Sequence, residues 1–323
     1  MGTVAETGGS VLAVDLGGTT IKGATVDARG RVRAELVRAT PVADGPEAVL
    51  GALESAVSEL AGEDPTVRIV SAVVPGVVDV AAGRIVFAGN LGLRDVAIRE
   101  RLGRATGLPT LIDHDVRAAG VAERTIGAAR GSRDHIIVVC GTGVAASVSV
   151  AGEPLLGANG VAGEFGHIPV WPDGELCECG QRGCLERYAS AAAIARHYAE
   201  HGGEPGVSAR EVAGRRDIDP AAARAWGDAC RALAVGLAGA AALLDPDLIV
   251  IAGGLSEAGR ALLDPVRAEV DARLAWRAAV PELRGSGLGA RAGVMGAAVL
   301  GWRAGTPGAP VPFFGNWYSP IHS

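Results

Sequence analysis

Residues 11–20 read Val-Leu-Ala-Val-Asp-Leu-Gly-Gly-Thr-Thr, an apolar run that ends on a carboxylate and turns at once on two glycines and two threonines. The β-branched content predicts a buried strand from Val11 to Asp15. A return strand over Ile21 to Val26 and a third over Arg31 to Thr40 follow, then a helix from Pro46 to Leu60 and a strand from Val67 to Val74. The same order comes back at His135 to Val139, which turns through Gly141-Thr142-Gly143 into Ala145 to Val150 and a short strand near Pro154. A pattern used twice predicts two α/β domains, each opening with an apolar strand that runs into a Gly/Thr turn.

Such a turn lets bare backbone N–H groups meet a phosphate, because glycine permits close approach and positive φ. Taken singly, Gly17-Gly18-Thr19 is also an ordinary hairpin turn. Two copies, each behind its own buried strand, could hold a triphosphate from opposite sides, which suits ATP better than a dinucleotide. No G-x-x-x-x-G-K-[ST] loop is present, and Gly285-Ser-Gly-Leu-Gly precedes the final helix with neither a leading strand nor a ribose carboxylate, so a Rossmann site is rejected.

The second informative stretch is Gly163 to Glu186, GEFGHIPVWPDGELCECGQRGCLE. Cys177, Cys179 and Cys184 are close enough in sequence to wrap one ion, with His167 as a fourth ligand in a tetrahedral zinc set. Four protein ligands leave no position for an activated water, so the zinc is structural. Glu164 and Glu186 flank it. Cys140 and Cys230 stand alone in apolar surroundings and read as core residues.

Composition bounds the partners. The chain has 323 residues, 49% of them hydrophobic, and a net charge of −6. With no dense Lys/Arg run, neither a nucleic-acid groove nor an anionic membrane surface is expected. The first ten residues lack a basic n-region, and the longest apolar run, Ala232 to Leu244, is short for a bilayer, so a cytoplasmic protein that binds small molecules is expected. His197 and His201 read as a solvated helix end, His135 and His322 as surface or capping residues, and Trp171 as packing without a binding role.

Taken together, these residues resemble the ROK group of sugar kinases and related repressors, within the actin-like ATPase superfamily. The resemblance spans nearly the whole chain. It rests on Asp15-Leu-Gly-Gly-Thr, Pro75-Gly-Val-Val-Asp79, His114-Asp115 opening a helix that runs to Glu123, and Gly141-Thr-Gly. It continues through Gly163-Glu-Phe-Gly-His167, Cys177-x-Cys179-Gly-x-x-Gly-Cys184-x-Glu186, Ile249 to Ser256 and Gly293-Val-Met-Gly-Ala-Ala298. It implies a ribonuclease H-like fold of duplicated βββαβα units with a cleft between the domains. The smaller N-terminal domain would take residues 1–116 with 290–323, and the larger one, carrying the zinc loop, residues 117–289.

The implied activity is ATP-dependent phosphorylation of a hexose at the 6-hydroxyl, and the implied assembly is a homodimer. Asp115 would be the base, and Asp15 would face Mg2+. Gly17, Gly18, Thr19, Gly141, Thr142, Gly143, Gly253 and Gly254 would hold the nucleotide. Asn90, His114, Asp115, Glu164, His167 and Glu186 would face the sugar, with one nitrogen of His167 on zinc and the other toward a hydroxyl. Two positions depart from the pattern. His114 stands where most sugar kinases of this group carry Asn, which points to altered recognition at ring positions three and four and keeps glucose, amino sugars and cyclitols open. Ala145 stands where glycine often follows the Gly-Thr-Gly turn. A sugar-binding relative with weak or no kinase activity also remains open; a repressor is disfavoured because only about ten residues precede the first strand.

Overall fold

Ser10–Leu16 (β1) is buried along nearly its whole length, as a strand in the middle of a sheet covered by helices must be. A computed structural model describes residues 9–305; His322 and the first eight residues lie outside that range. Contacts divide the described chain into two compact units, residues 9–126 with 291–305, and residues 127–290. The first division falls after Ile126, past the expected Val116, because the helix that begins at Asp115 packs along its length on the last helix of the same unit.

In the first unit, β1 pairs antiparallel with Thr20–Asp27 (β2), which pairs with Val32–Ala39 (β3). The edge strand β3 alternates half-buried and exposed residues, with Arg33, Glu35 and Val37 outward. Its charges discourage pairing with another chain. After Pro46–Glu63 (α1), Val67–Val74 (β4) joins the far side of β1 in parallel. Val77–Asp79 (β5), Arg84–Ala88 (β6) and Leu93–Val96 (β7) make a small antiparallel sheet that the sequence does not announce. Ile98–Thr106 (α2), Thr110–His114 (β8) and Asp115–Ile126 (α3) follow, with β8 parallel to β4. The main sheet has the order β3-β2-β1-β4-β8.

The second unit repeats that topology. His135–Cys140 (β9) lies at the centre, antiparallel to Val144–Val150 (β10), which pairs with Glu153–Pro154 (β11). Four helices come next: Glu186–Ala189 (α4), Ala191–Glu200 (α5), Ala209–Arg215 (α6) and Pro220–Leu244 (α7). Leu248–Ala252 (β12) is buried at every position and parallel to β9. Beyond Arg260–Arg273 (α8), Glu282–Gly285 (β13) closes the sheet, in the order β11-β10-β9-β12-β13. Ala292–Gly305 (α9) returns to the first unit.

Three sequence expectations change here. A strand, β13, does lead into Gly285-Ser-Gly-Leu-Gly; what separates this sheet from a Rossmann one is the antiparallel β9–β10 pairing. The apolar run before Leu244 belongs to a helix of 25 residues, long and apolar enough by composition to cross a bilayer, with 50% of that window buried inside the protein. Asp219 caps its start by accepting from the N–H groups of Ala221 and Ala222, and it packs on α5, α6 and α8. His135 is 3% exposed and inside the fold, with its Nδ1 at 3.3 Å from Ser132 Oγ. Cys140 and Cys230 are buried as core residues.

Candidate active site

In the first unit the turn between β1 and β2 is closed by Gly17 N–H donating to Thr20 O at 2.9 Å. Thr40 fixes it, its hydroxyl donating to Gly17 O at 2.7 Å. Neither Gly17 nor Gly18 takes positive φ, so close approach is what demands glycine there. A Cβ on Gly18 would lie 3.1 Å from Asn90 Nδ2. Asn90, expected to face the sugar, therefore stands directly over the turn expected to take phosphate. Thr19 is exposed at the tip.

Asp15, near the end of β1, faces Lys22 across the β1–β2 pair and lies against the backbone of Gly293 at the start of α9. Burial pushes its carboxyl up to about 7, the nearby Asp115 carboxylate adds to the rise, and Lys22 opposes it. Two carboxylates with so little compensating charge form a place that a cation would relieve. Asp115 opens α3, where its Oδ1 accepts from the N–H of Val116 at 2.7 Å. His114, the last residue of β8, brings its Nε2 to 3.4 Å from that oxygen. The imidazole thus touches the carboxylate proposed as base.

In the second unit, Glu186 at the start of α4 extends one carboxylate oxygen to the backbone N–H of Val144, 2.8 Å away. A Cβ on Gly143 would sit 2.6 Å from the same oxygen. Glu186, expected on the sugar side, is therefore tied to the end of the Gly141-Thr142-Gly143 turn, whose threonine is exposed. Gly253 has φ +80°, and a side chain there would strike Cys140 O at 2.4 Å, so β12 ends in a turn that only glycine allows. Gly141 and Gly254, distant in sequence, border one cavity of about 470 Å3 together with Trp226, Leu255, Arg210 and Glu257.

The donor atoms of His167, Cys177, Cys179 and Cys184 all lie within 4.8 Å of one another. Cys179 and Cys184 sulfurs are 3.6 Å apart, and Cys177 Sγ is 3.7 Å from His167 Nδ1. A tetrahedron built on Zn–S bonds has edges of about 3.8 Å, so the four donors fit such an ion. Burial pushes the Cys177 thiol up and the Cys184 thiol up to about 12, while the N–H of Gln181 pulls Cys179 down. To ionise together in that setting, the three thiols would need a cation beside them. His167 keeps Nε2 on the other side, 4.0 Å from Glu164 Oε2.

One part of the site has no signature in the sequence. Glu175, just ahead of the cysteines, accepts from His197 at 2.5 Å, from Arg196 at 2.7 Å and from Arg187 at 3.1 Å. These bonds hold Glu175 well below the usual carboxylate range against the cost of its burial. They also pin the cysteine loop to α4 and α5. His197 is accordingly buried, not solvated, with its ring tilted 5.6 Å from Tyr188; His201 pairs with Asp228 at 3.6 Å. Trp171 packs edge-on against Tyr188, centroids 4.3 Å apart.

A family model described as the ROK family matches residues 11–303. The chain belongs to the ROK family. Among ROK relatives, it is 32% identical to a glucokinase of Streptomyces coelicolor over 314 residues, 90% of this chain and 97% of that one. It is 33% identical to an N-acetylmannosamine kinase of Shigella flexneri over 260 residues, 79% of this chain and 87% of the relative. A crystal structure of a ROK glucokinase from Streptomyces griseus in complex with glucose and AMPPNP superposes with a TM-score of 0.80 at 32% identity, covering 90% of this chain and 99% of that one. The doubled sheet is that of the two-domain, ribonuclease H-like fold of actin-like ATPases.

Proposed function

We infer that this ROK chain is an ATP-dependent hexose kinase that transfers the γ-phosphoryl group to the 6-hydroxyl of glucose or a related amino sugar. The likeness to a glucokinase caught with glucose and AMPPNP, over 90% of the chain, carries the inference. The side chains supply what such a transfer needs, namely positioning, charge neutralisation and one acceptor for a proton. Asp115 takes the proton of the attacking hydroxyl as its oxygen bonds to the γ-phosphorus and ADP departs. The two glycine turns, with Thr19 and Thr142, donate to phosphate oxygens. The cavity beside Gly141 and Gly254 takes the adenosine.

Asp15 would hold Mg2+ on the triphosphate side, where the ion would supply charge neutralisation on the phosphates. Its elevated affinity for a proton, set by burial and by Asp115, is the local expression of that unbalanced charge. His167, Cys177, Cys179 and Cys184 hold a structural Zn2+ that fixes the loop. His167 then turns Nε2, with Glu164, toward the sugar, while Asn90, His114 and Glu186 complete the contacts to its hydroxyls.

His114, an imidazole where most sugar kinases of this group carry an amide, favours a second reading, in which the substrate is modified at ring positions three and four, or is a cyclitol. A homodimer in the cytoplasm is the assembly and location proposed. The test is ADP release on addition of glucose, N-acetylated hexoses, amino hexoses and cyclitols in turn. Release that depends on one of these supports the kinase; binding without any release supports a regulatory relative.

A further inference from the structure

The cavity of about 470 Å3 beside Gly141 and Gly254 is apolar at its base and charged at its rim. Three charged residues line it: Arg210, Arg216 and Glu257. Arg216 is already engaged, donating to Ala213 O at 2.7 Å and pairing with Asp217 at 3.1 Å. Arg210, on α6, and Glu257, on the short turn after Gly253, are ion-paired with each other. Their side chains are 77% and 36% exposed, so the pair contributes little to stability and can open at low cost.

Glu257 supplies the one carboxylate among the residues lining this cavity. The other side-chain acceptor there, the Ser208 hydroxyl, is taken up by the capping box at the start of α6, where it bonds Glu211 in both directions. A carboxylate at the edge of an apolar slot is the group with which nucleotide sites accept hydrogen bonds from ribose hydroxyls. We propose that Glu257 binds the ribose 2′- and 3′-hydroxyls of the phosphoryl donor, and that Arg210 holds this carboxylate in place until the nucleotide arrives. Selection for a ribonucleotide donor is then a property of this rim, separate from the phosphate turns. The proposal rests on the kinase assignment for the place of the nucleotide.

Titration calorimetry of the full chain with ATP and with 2′,3′-dideoxy-ATP tests it without reference to turnover. The wild-type chain should bind ATP about tenfold more tightly than the dideoxy analogue. Glu257→Ala should bind both alike, near the affinity of the analogue. Arg210→Ala, which frees the carboxylate, should retain or widen the preference, and this variant leaves the test intact should Glu257→Ala unfold. Equal affinities in the wild-type chain, or an unchanged ratio in Glu257→Ala, overturn the assignment of Glu257 while leaving the kinase standing. A chain that binds neither nucleotide contradicts the kinase assignment, and the proposal falls with it.

Discussion

Gly143→Ala is the substitution whose consequence the geometry fixes most closely. The new methyl carbon would start 2.6 Å from Glu186 Oε2, and ordinary contact requires the carboxylate to retreat by about 0.8 Å. That movement stretches the 2.8 Å bond from Val144 N–H past the hydrogen-bonding range. Val144 is 4% exposed, so its N–H gains no water in exchange. The cost of leaving it unpaired is about 1–3 kcal/mol. In a unit of this size each kcal/mol lowers Tm by roughly 2–4 °C. Steric strain adds little, because the atom that must move is the end of a flexible side chain. The catalytic effect should be larger: if Glu186 faces the sugar, KM for the sugar rises by roughly 5–150-fold. Gly141→Ala is the matched control, since nothing lies within 4 Å of its Cβ position. That variant should melt with the wild type and raise KM for ATP alone. Thermal unfolding and coupled ADP release measure both. A Gly143→Ala protein with wild-type Tm and wild-type sugar KM would refute the link between Glu186 and the turn.

Other consequences are as direct. Metal analysis of the purified chain should find one zinc per chain, lost in Cys184→Ser, and chelation should expose the 171–184 segment to protease while the Glu175–His197 contact still holds its base to α5. His114→Asn should shift the order of preference among sugars toward those with unmodified 3- and 4-hydroxyls; an unchanged order in competition assays would remove His114 from specificity. Asp15 sets a pH dependence. Its folded-state value of about 7 lies above the ordinary 3.8, so the folded chain holds the proton more tightly than the unfolded one. Stability of the nucleotide-free protein should therefore fall as pH rises from about 4 through about 7, by at most roughly 4 kcal/mol. Asp15→Asn should flatten that slope, and Mg2+ with nucleotide should reduce it; a flat Tm profile in the wild type would contradict the assignment.

What could be read in the sequence depended on how local its cause is. β1 and β9 are runs of buried β-branched residues ended by glycine turns, so each strand and its turn were legible from a few neighbours. Glu282–Gly285 buries only Leu283 well and becomes a strand because Leu248–Ala252 offers a parallel partner, which no local pattern announces. The clustering of the three cysteines with His167 was legible because their spacing is that of a ligand set; the zinc they would hold is part of the proposal. The burial of His197 was not, since Glu175, which compensates it, is 22 residues away. The glycine turns were placed correctly but for a partly different reason: what a side chain at Gly18 or Gly143 would meet is the end of Asn90 or Glu186, and neither glycine takes positive φ. Those contacts also join residues that sequence alone divides between sugar and phosphate.

Asp115→Asn tests the central claim most directly. The change preserves shape and the hydrogen bond to Val116 N–H but removes the acceptor for the hydroxyl's proton, so kcat for sugar-dependent ADP release should fall by 10²–10⁴-fold, roughly the worth of one general base. Calorimetric affinities for ATP and for the best sugar should stay within a few-fold of wild type. A variant that still releases ADP near the wild-type rate with that sugar would show that Asp115 is not the base.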